Sequence, residues 1–382
     1  MCESFSEPIE ILDKMAYQGK SEMTEWQLKF VCGLIKQKRP RKILEIGVAA
    51  GGTTAVLLNC ISLLGLDAEV FSIDVNEKLY SDNSKCTGYL ARQCMPYLQN
   101  QVNWTLYTNG ISVEFLEQIG EDIDFVILDT MHILPGELLD FLACLPYLSD
   151  HCTVVLHDIA LHHLGNEADG YATQVLFDTV AAKKIIGSDD ESPQNYPNIG
   201  AFEINEDTRK YVGNVFGALL LTWRYMPSLE QIRLYRDFYC RHYEKKYIDI
   251  FDKAFALNEN TLGKMLQKKE NEFQEMYRLV NTCAKHRVYI YGCGKFGKAF
   301  YKLLKNCGVD VRGYIITDGN EKEEKEQVYY LSEIDFHMEQ DLILVGVNTN
   351  LQEEIRENLE KKEIRNYLLP SVAVCEFIGR YY

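Results

Sequence analysis

Two constellations in this 382-residue chain have the residue types and spacing for chemistry. The first is an acid and glycine run, Ile43-Leu44-Glu45-Ile46-Gly47-Val48-Ala49-Ala50-Gly51-Gly52-Thr53-Thr54. A second acid, Asp74, follows 27 residues after Gly47, at the end of the next apolar run. Small residues let a ligand lie against the backbone, because Cβ atoms would block it. Close approach is therefore expected at Gly47 and Gly51. Ala49 stands where a stricter pattern has a third glycine, and Thr53 opens the following helix. A carboxylate at Asp74 can accept both hydroxyls of a ribose. The plain alternative is that the glycines only turn the chain and Asp74 caps a helix.

The second constellation is a set of acids and histidines. Five of the eight histidines (His132, His151, His157, His162 and His163) fall within 32 residues. Two strand ends lie in the same window, Asp129-Thr130-Met131-His132 and His157-Asp158. Adjacent parallel strands deliver their C-terminal residues to one edge, so Asp129 and Asp158 are expected side by side. Two such carboxylates repel, and a divalent cation offsets them; oxygen ligands favour magnesium or calcium. That cation could hold two substrate oxygens and lower the pKa of a hydroxyl. The expected ligands are Asp129, Asp158 and His157. The expected catalytic residues are His132 or His157 as base, with Asp129 beside them. A histidine ligand also admits iron or manganese. The alternative for Asp129 is a donor contact or a helix cap with no metal. His151, His162 and His163 read as surface or loop polarity, and Asp140 as a solvent-facing helix residue.

The charge of the first ligand can be narrowed. Dinucleotides and S-adenosylmethionine both use this kind of turn. A pyrophosphate sits on the loop and helix N-terminus, where an extra carboxylate is unwelcome. S-adenosylmethionine has no phosphate and carries a sulfonium and an ammonium, which a carboxylate at Glu45 suits.

The elements that must position these groups alternate. Short apolar runs at Lys42–Val48, Val70–Asp74, Asn103–Thr108, Asp124–Leu128 and Thr153–Leu156 are separated by helical stretches. Alternation of this kind predicts a parallel sheet with crossover helices. Two further strands are expected at Lys183–Gly187 and Asn198–Ile204, the latter within a closing antiparallel hairpin. Leu161–Ala168 is a candidate flap. Ser228–Ala256 reads as one long amphipathic helix. Trp223, Arg224 and Tyr225 read as core packing, with stacking on a sugar as the alternative.

The run Glu45-x-Gly47-x-x-x-Gly51 with Asp74 resembles motifs I and II of the class I S-adenosylmethionine-dependent methyltransferases, over roughly residues 20–205. The resemblance implies a Rossmann-like, mostly parallel sheet of seven strands. It implies a donor held by Glu45, Gly47, Ala49, Gly51, Thr53 and Asp74, with Asn109 and Ser112 near the adenine. Asp129-x-x-His132 followed by His157-Asp158 is similar to the branch of macrocin O-methyltransferases and cephalosporin-hydroxylase-like proteins. That branch implies magnesium, with Asp129 and Asp158 as ligands, and a sugar hydroxyl as acceptor. The expected function is metal-assisted O-methylation of a nucleotide sugar, surface glycan or glycosylated metabolite.

A second glycine turn, Gly292-Cys293-Gly294-Lys295-Phe296-Gly297, follows the apolar run Val288–Tyr291, and Asp318 lies 24 residues beyond Gly294. This is a fuller dinucleotide fingerprint than the first turn, and no acid precedes its glycines. Only about 95 residues follow Arg287, too few for the two halves of a dinucleotide site. A small Rossmann-like α/β domain is expected here, resembling accessory domains of bacterial polysaccharide enzymes. Its turn either binds NAD(P) or another nucleotide, or simply closes the fold and docks a partner. The rival readings of the whole chain are an NAD(P)-dependent sugar oxidoreductase and a non-catalytic Rossmann-fold binding protein. The expected organisation is a methyltransferase domain at 1–258 (cap 1–40, core 41–205, helical extension 206–258), a helical linker at 259–285 and the small domain at 286–382. Glu321–Glu326 reads as a solvated loop tip.

Composition excludes several classes. The net charge of −16 leaves no general basic face for nucleic acid or an anionic membrane. No apolar run reaches the roughly 18 residues of a membrane span. The polar start predicts no signal peptide. Twelve cysteines scattered singly predict reduced thiols in a cytoplasmic protein. The expected partners are a small-molecule or glycan acceptor and a second copy of the chain in a homo-oligomer.

Overall fold

A computed structural model describes residues 5–15, 21–163, 169–186, 197–319 and 327–381. The chain divides into two units, Met1–Leu262 and Gly263–Tyr382. Most of the flap candidate and the Glu321–Glu326 tip lie outside the described residues.

The first unit is built on seven strands: β1 (Lys42–Ile46), β2 (Glu69–Asp74), β5 (Asn103–Thr108), β6 (Ile123–Leu128), β7 (Leu148–His157), β8 (Lys183–Ile186) and β9 (Ile199–Glu203). They run in the order β5-β2-β1-β6-β7-β9-β8, and a separate two-stranded hairpin joins β3 (Lys78–Leu79) to β4 (Asp82–Cys86). Only β9 runs against the direction of the other six. The helices are α1 (Glu25–Lys38), α2 (Gly52–Leu64), α3 (Tyr89–Cys94), α4 (Leu116–Ile119), α5 (Gly136–Cys144), α6 (Ala172–Thr179), α7 (Glu206–Lys210), α8 (Gly213–Ala218), α9 (Leu229–His242) and α10 (Lys245–Cys283). The central strands are apolar on both faces because helices cover both. One core takes Leu44, Val126 and Val154 with Phe141 and Phe216; the other takes Ile43, Phe125 and Val155 with Leu34 and Val56.

Strand order reverses between β1 and β6, which lie side by side in parallel. In open α/β sheets the ligand crevice forms outside the carboxyl ends of the strands at such a switch point. The backbone records this crowding. Seven non-glycine residues among those described have positive φ, and four of them (Ala49, Asn109, His132 and Asp158) stand just after strands β1, β5, β6 and β7. Sparsely populated conformations persist where surrounding structure over-determines them, and they cluster at functional sites.

Two sequence expectations are corrected here. Ser228–Ala256 is two helices, not one: Tyr243 is extended between α9 and α10, with its hydroxyl donating to the Leu142 carbonyl at 2.5 Å. Burying that ring against Phe216 fixes the break. Asp140 does not face solvent. It is 9% exposed, and its Oδ1 accepts from Ser112 Oγ (2.6 Å) and Tyr235 Oη (2.9 Å). The apolar face of α5 spans most of its circumference, so a polar residue on it is buried.

The second unit carries five parallel strands in the order β12-β11-β10-β13-β14: β10 (Arg287–Tyr291), β11 (Val311–Ile316), β12 (Val328–Tyr330), β13 (Asp341–Val345) and β14 (Tyr367–Leu368). Its helices are α11 (Lys295–Asn306), α12 (Thr349–Lys361) and α13 (Val372–Tyr381). The early turns of α10 bury Ile248, Phe251 and Ala254 in the first unit's core, and its last turns bury Met276, Leu279 and Cys283 in the second's. No described helix is long and apolar enough to cross a membrane.

Candidate active site

The loop after β1 lines a cleft. Its walls are Gly47–Thr53, with Ser21, Glu22, Leu79, Tyr80, Ser81 and Asp129. The hairpin β3–β4 and the segment ahead of α1 meet across it: Tyr80 Oη bonds Glu22 Oε1, and Ser21 Oγ pairs with Thr53 Oγ1 at 2.9 Å. The polar hairpin carries no apolar alternation, so sequence reasoning missed it.

The glycines of the loop answer to the protein's own backbone. A Cβ on Gly47 would stand 1.7 Å from the Asp129 carbonyl oxygen, and Gly47 has φ +94°. A Cβ on Gly51 would stand 2.9 Å from Gly88 Cα, at the head of α3. Ala49 takes φ +47°, and its carbonyl accepts from Gly88 N at 2.9 Å.

The two acids of this motif occupy different layers. Asp74 Oδ2 accepts from the backbone N–H groups of Val48 and Ala49, both at 3.0 Å, and Oδ1 accepts from Asn76 N at 2.8 Å. Asp74 therefore holds the loop in shape. A carboxylate has about four lone-pair sites, so capacity for a ribose hydroxyl remains. Glu45 lies under the loop and does not border the cleft. It is 1% exposed, and its Oε2 accepts from Thr54 Oγ1 (2.8 Å) and Ser72 Oγ (2.7 Å). Burial raises its pKa to about 7, with the nearby Asp129 and Asp74 charges adding to the rise and those two hydroxyls opposing it. Asn109 is exposed at the end of β5. Ser112 is buried, with its hydroxyl committed to Asp140.

The second constellation does assemble at the ends of β6 and β7. His157 Nδ1 lies 2.9 Å from Asp129 Oδ1 and 3.5 Å from Asp158 Oδ2. His132 Nε2 lies 3.5 Å from Asp129 Oδ1 and 3.2 Å from Asp158 Oδ2. The two imidazoles and two carboxylates thus alternate. Asn198 Nδ2 donates to Asp158 Oδ1, and His157 Nε2 pairs with Gln27 Oε1 at 3.3 Å. Gln27 is also the capping-box residue that bonds Thr24 N at the start of α1. That second use of a helix cap left no trace in the spacing of the sequence. His151 and His163 are exposed and His162 is partly so, all outside this cluster.

The cluster is electrostatically tight. Burial opposes charge on both imidazoles, but the carboxylates prevail: His132 is raised to about 10 and His157 is also raised. Burial alone would raise Asp129, but its two histidines hold it well below the usual carboxylate range. Ligand atoms of Asp129, His132 and His157 lie within 4.8 Å of one another, close enough for one metal ion. This grouping includes His132 in addition to two of the three residues expected from the sequence.

Comparison with known proteins bears on this edge. Residues 44–159 match the family model described as a methyltransferase domain. Over this region the chain is similar to that family. The match covers under a third of the chain, yet it contains every donor and cluster residue expected from the sequence. No curated protein sequence matches the chain. Similar solved structures include the O-methyltransferase TomG from Streptomyces achromogenes, involved in tomaymycin synthesis and in complex with S-adenosylmethionine (16% identity, 52% of this chain and 88% of that one, TM-score 0.37). Another is an O-methyltransferase from Bacillus cereus in complex with S-adenosylhomocysteine (17%, 52% and 89%, 0.34). A third is the methyltransferase PaMTH1 from Podospora anserina, bound to S-adenosylhomocysteine (12%, 53% and 90%, 0.37).

Proposed function

We propose that the first unit is an S-adenosylmethionine-dependent O-methyltransferase acting on a sugar hydroxyl of a nucleotide sugar, glycan or glycosylated metabolite. One observation carries the reading: Asp129 borders the cleft of the glycine loop and is bonded to the histidine cluster. A donor on Gly47–Thr53 and an acceptor on the cluster would then meet at one carboxylate.

The transfer needs little more than alignment and a proton acceptor. The acceptor oxygen attacks the methyl carbon, the carbon–sulfur bond breaks, S-adenosylhomocysteine leaves and the hydroxyl proton passes to the protein. His132 as it stands is a poor acceptor, since the carboxylates beside it hold its proton near neutral pH; the same neighbours also raise His157. His157 is left as the base of the pair.

A divalent cation fits the same residues. Asp129, His132 and His157 would hold it, the imidazoles giving up ring protons to do so. It would supply a Lewis acid to the acceptor oxygen. Two imidazoles and one carboxylate suit iron, manganese or zinc better than magnesium, in contrast to the magnesium expected from the sequence resemblance.

Methyl transfer from labelled donor to a panel of nucleotide sugars and glycosides tests the proposal, run with manganese, iron(II), magnesium or a chelator. Product carrying the label on a sugar oxygen supports it. Hydride transfer from NAD(P)H with no methyl transfer would overturn it and return the activity to the second glycine turn.

A further inference from the structure

Behind His132 stands a residue that neither the donor cleft nor the cluster uses. Glu137, on the first turn of α5, is fully buried. Its Oε1 accepts from the His132 backbone N–H at 2.6 Å and from Thr130 Oγ1 at 2.8 Å. The same oxygen lies 3.3 Å from His132 Nδ1, which also faces Thr173 Oγ1 at 3.2 Å. Glu137 Oε2 has no hydrogen-bond partner among the described residues. A buried carboxylate with one oxygen idle is costly unless its charge is used, and the imidazole within reach of its other oxygen is His132.

We infer that Glu137 is the positioning residue of the site, holding His132 by both backbone and ring so that Nε2 faces Asp129 and Asp158. The inference rests on the proposed methyl-transfer site and deepens it. His132 sits at φ +59°, a conformation a non-glycine residue rarely takes unless the surroundings enforce it. The backbone bond to Glu137 enforces it. The ring contact then decides which nitrogen keeps its proton when the ring gives one up. A carboxylate at Nδ1 holds the proton there, so it is Nε2, facing the two aspartates, that is released to a metal or a substrate. Thr130 ties the same oxygen to the loop, so one side chain orders residues 130–132 at the end of β6. The acid comes from a helix and the imidazole from the strand-end loop. Packing of α5 on the sheet therefore fixes the site's geometry.

Two measurements test this, one of them independent of turnover. In the ¹⁵N spectrum of the full-length wild type, followed upward in pH until the ring is neutral and assigned by its loss in His132→Asn, the remaining proton should sit on Nδ1. A bare Nδ1 with the proton on Nε2 alone would overturn the inference, whether or not methyl transfer is ever found. Glu137→Gln keeps an acceptor oxygen for the backbone N–H and removes the charge. It should fold, keep donor affinity and donor KM within about twofold, lose tenfold or more in kcat and show mixed His132 tautomers. Thr173→Val, which removes only the ring's second contact, should lose less, about two- to fivefold. Wild-type kcat with an unchanged His132 spectrum in Glu137→Gln would make Glu137 a packing residue only. A wild type without methyl transfer but with the expected ring spectrum would defeat the functional reading and leave the positioning role standing.

Discussion

The chain carries two strand–glycine–helix turns, and they differ in what faces them. In the first unit, the turn at Gly47–Thr53 meets a cleft bordered by Asp129, above buried Glu45 and Asp74. In the second, a Cβ on Gly292 would stand 2.6 Å from Val347, one on Gly297 would stand 1.9 Å from the Gly292 carbonyl oxygen, and one on Gly294 would meet nothing. Its acid, Asp318, is exposed and bonded to Ser332 and Lys362, which hold its pKa below the usual value. No metal-ligating cluster occurs there among the described residues. The turn with the fuller glycine fingerprint is thus the one with fewer chemical groups around it. Glycine spacing reports how closely a helix follows a strand. The ionisable residues at neighbouring strand ends report chemistry.

The sharpest contrast between the turns is catalytic. Asp129→Asn should lower methyl transfer about a thousandfold or more, because it removes the carboxylate shared by cleft and cluster. Asp318→Asn should leave turnover within twofold in the same steady-state assay. Equal losses would erase the distinction.

Stability gives the next contrast. Gly47→Ala places a Cβ against a backbone carbonyl at positive φ and should cost about 3 kcal/mol or more. Gly294→Ala, with open space at its Cβ, should cost under about 0.5 kcal/mol. Denaturant unfolding that reports on each unit measures both.

Glu45 gives a pH signature specific to the first unit. Burial lifts its folded pKa to about 7 from an ordinary value of 4.5, so the folded state holds a proton that the unfolded state has released between those values. Stability from this group is therefore full below pH 4.5 and declines as pH rises to 7. The loss approaches about 3 kcal/mol at about 1.4 kcal/mol per unit. Glu45→Gln should flatten that slope and exceed wild-type stability at pH 8. A bound cationic donor should favour the ionised acid and shrink the difference.

The smallest effect is expected at Asp74, for which a ribose contact is proposed. Asp74→Ala should weaken donor binding about tenfold, partly by freeing the Val48 and Ala49 amides it holds. Unchanged affinity by calorimetry would remove Asp74 from the donor site.

Much of this was legible in the sequence, and the reasons are local. Apolar runs covered on both faces marked β1, β2, β6 and β7, and the loop glycines fell where strand and helix nearly touch. The meeting of Asp129, His132, His157 and Asp158 followed from two adjacent parallel strand ends. The orientation of side chains did not follow. Nothing in the spacing told that Glu45 turns under the loop to Thr54 and Ser72, or that Asp74 spends its oxygens on backbone amides. Asp140 looked like an ordinary helix acid and Glu137 drew no reading at all, because burial of a carboxylate depends on which partners the tertiary fold brings. Gln27 reached His157 from 130 residues away in sequence.

The most direct test of the central claim is thermal unfolding with S-adenosylmethionine, S-adenosylhomocysteine or NAD(H), each with and without a divalent metal. A ligand at 100 times its Kd should add about 2.7 kcal/mol to the unit that binds it. The account predicts stabilisation by the methyl donor or its product, abolished by blocking the cleft with Ala50→Trp and spared by Asp318→Asn. Stabilisation by NAD(H) alone, lost in Asp318→Asn, would contradict it.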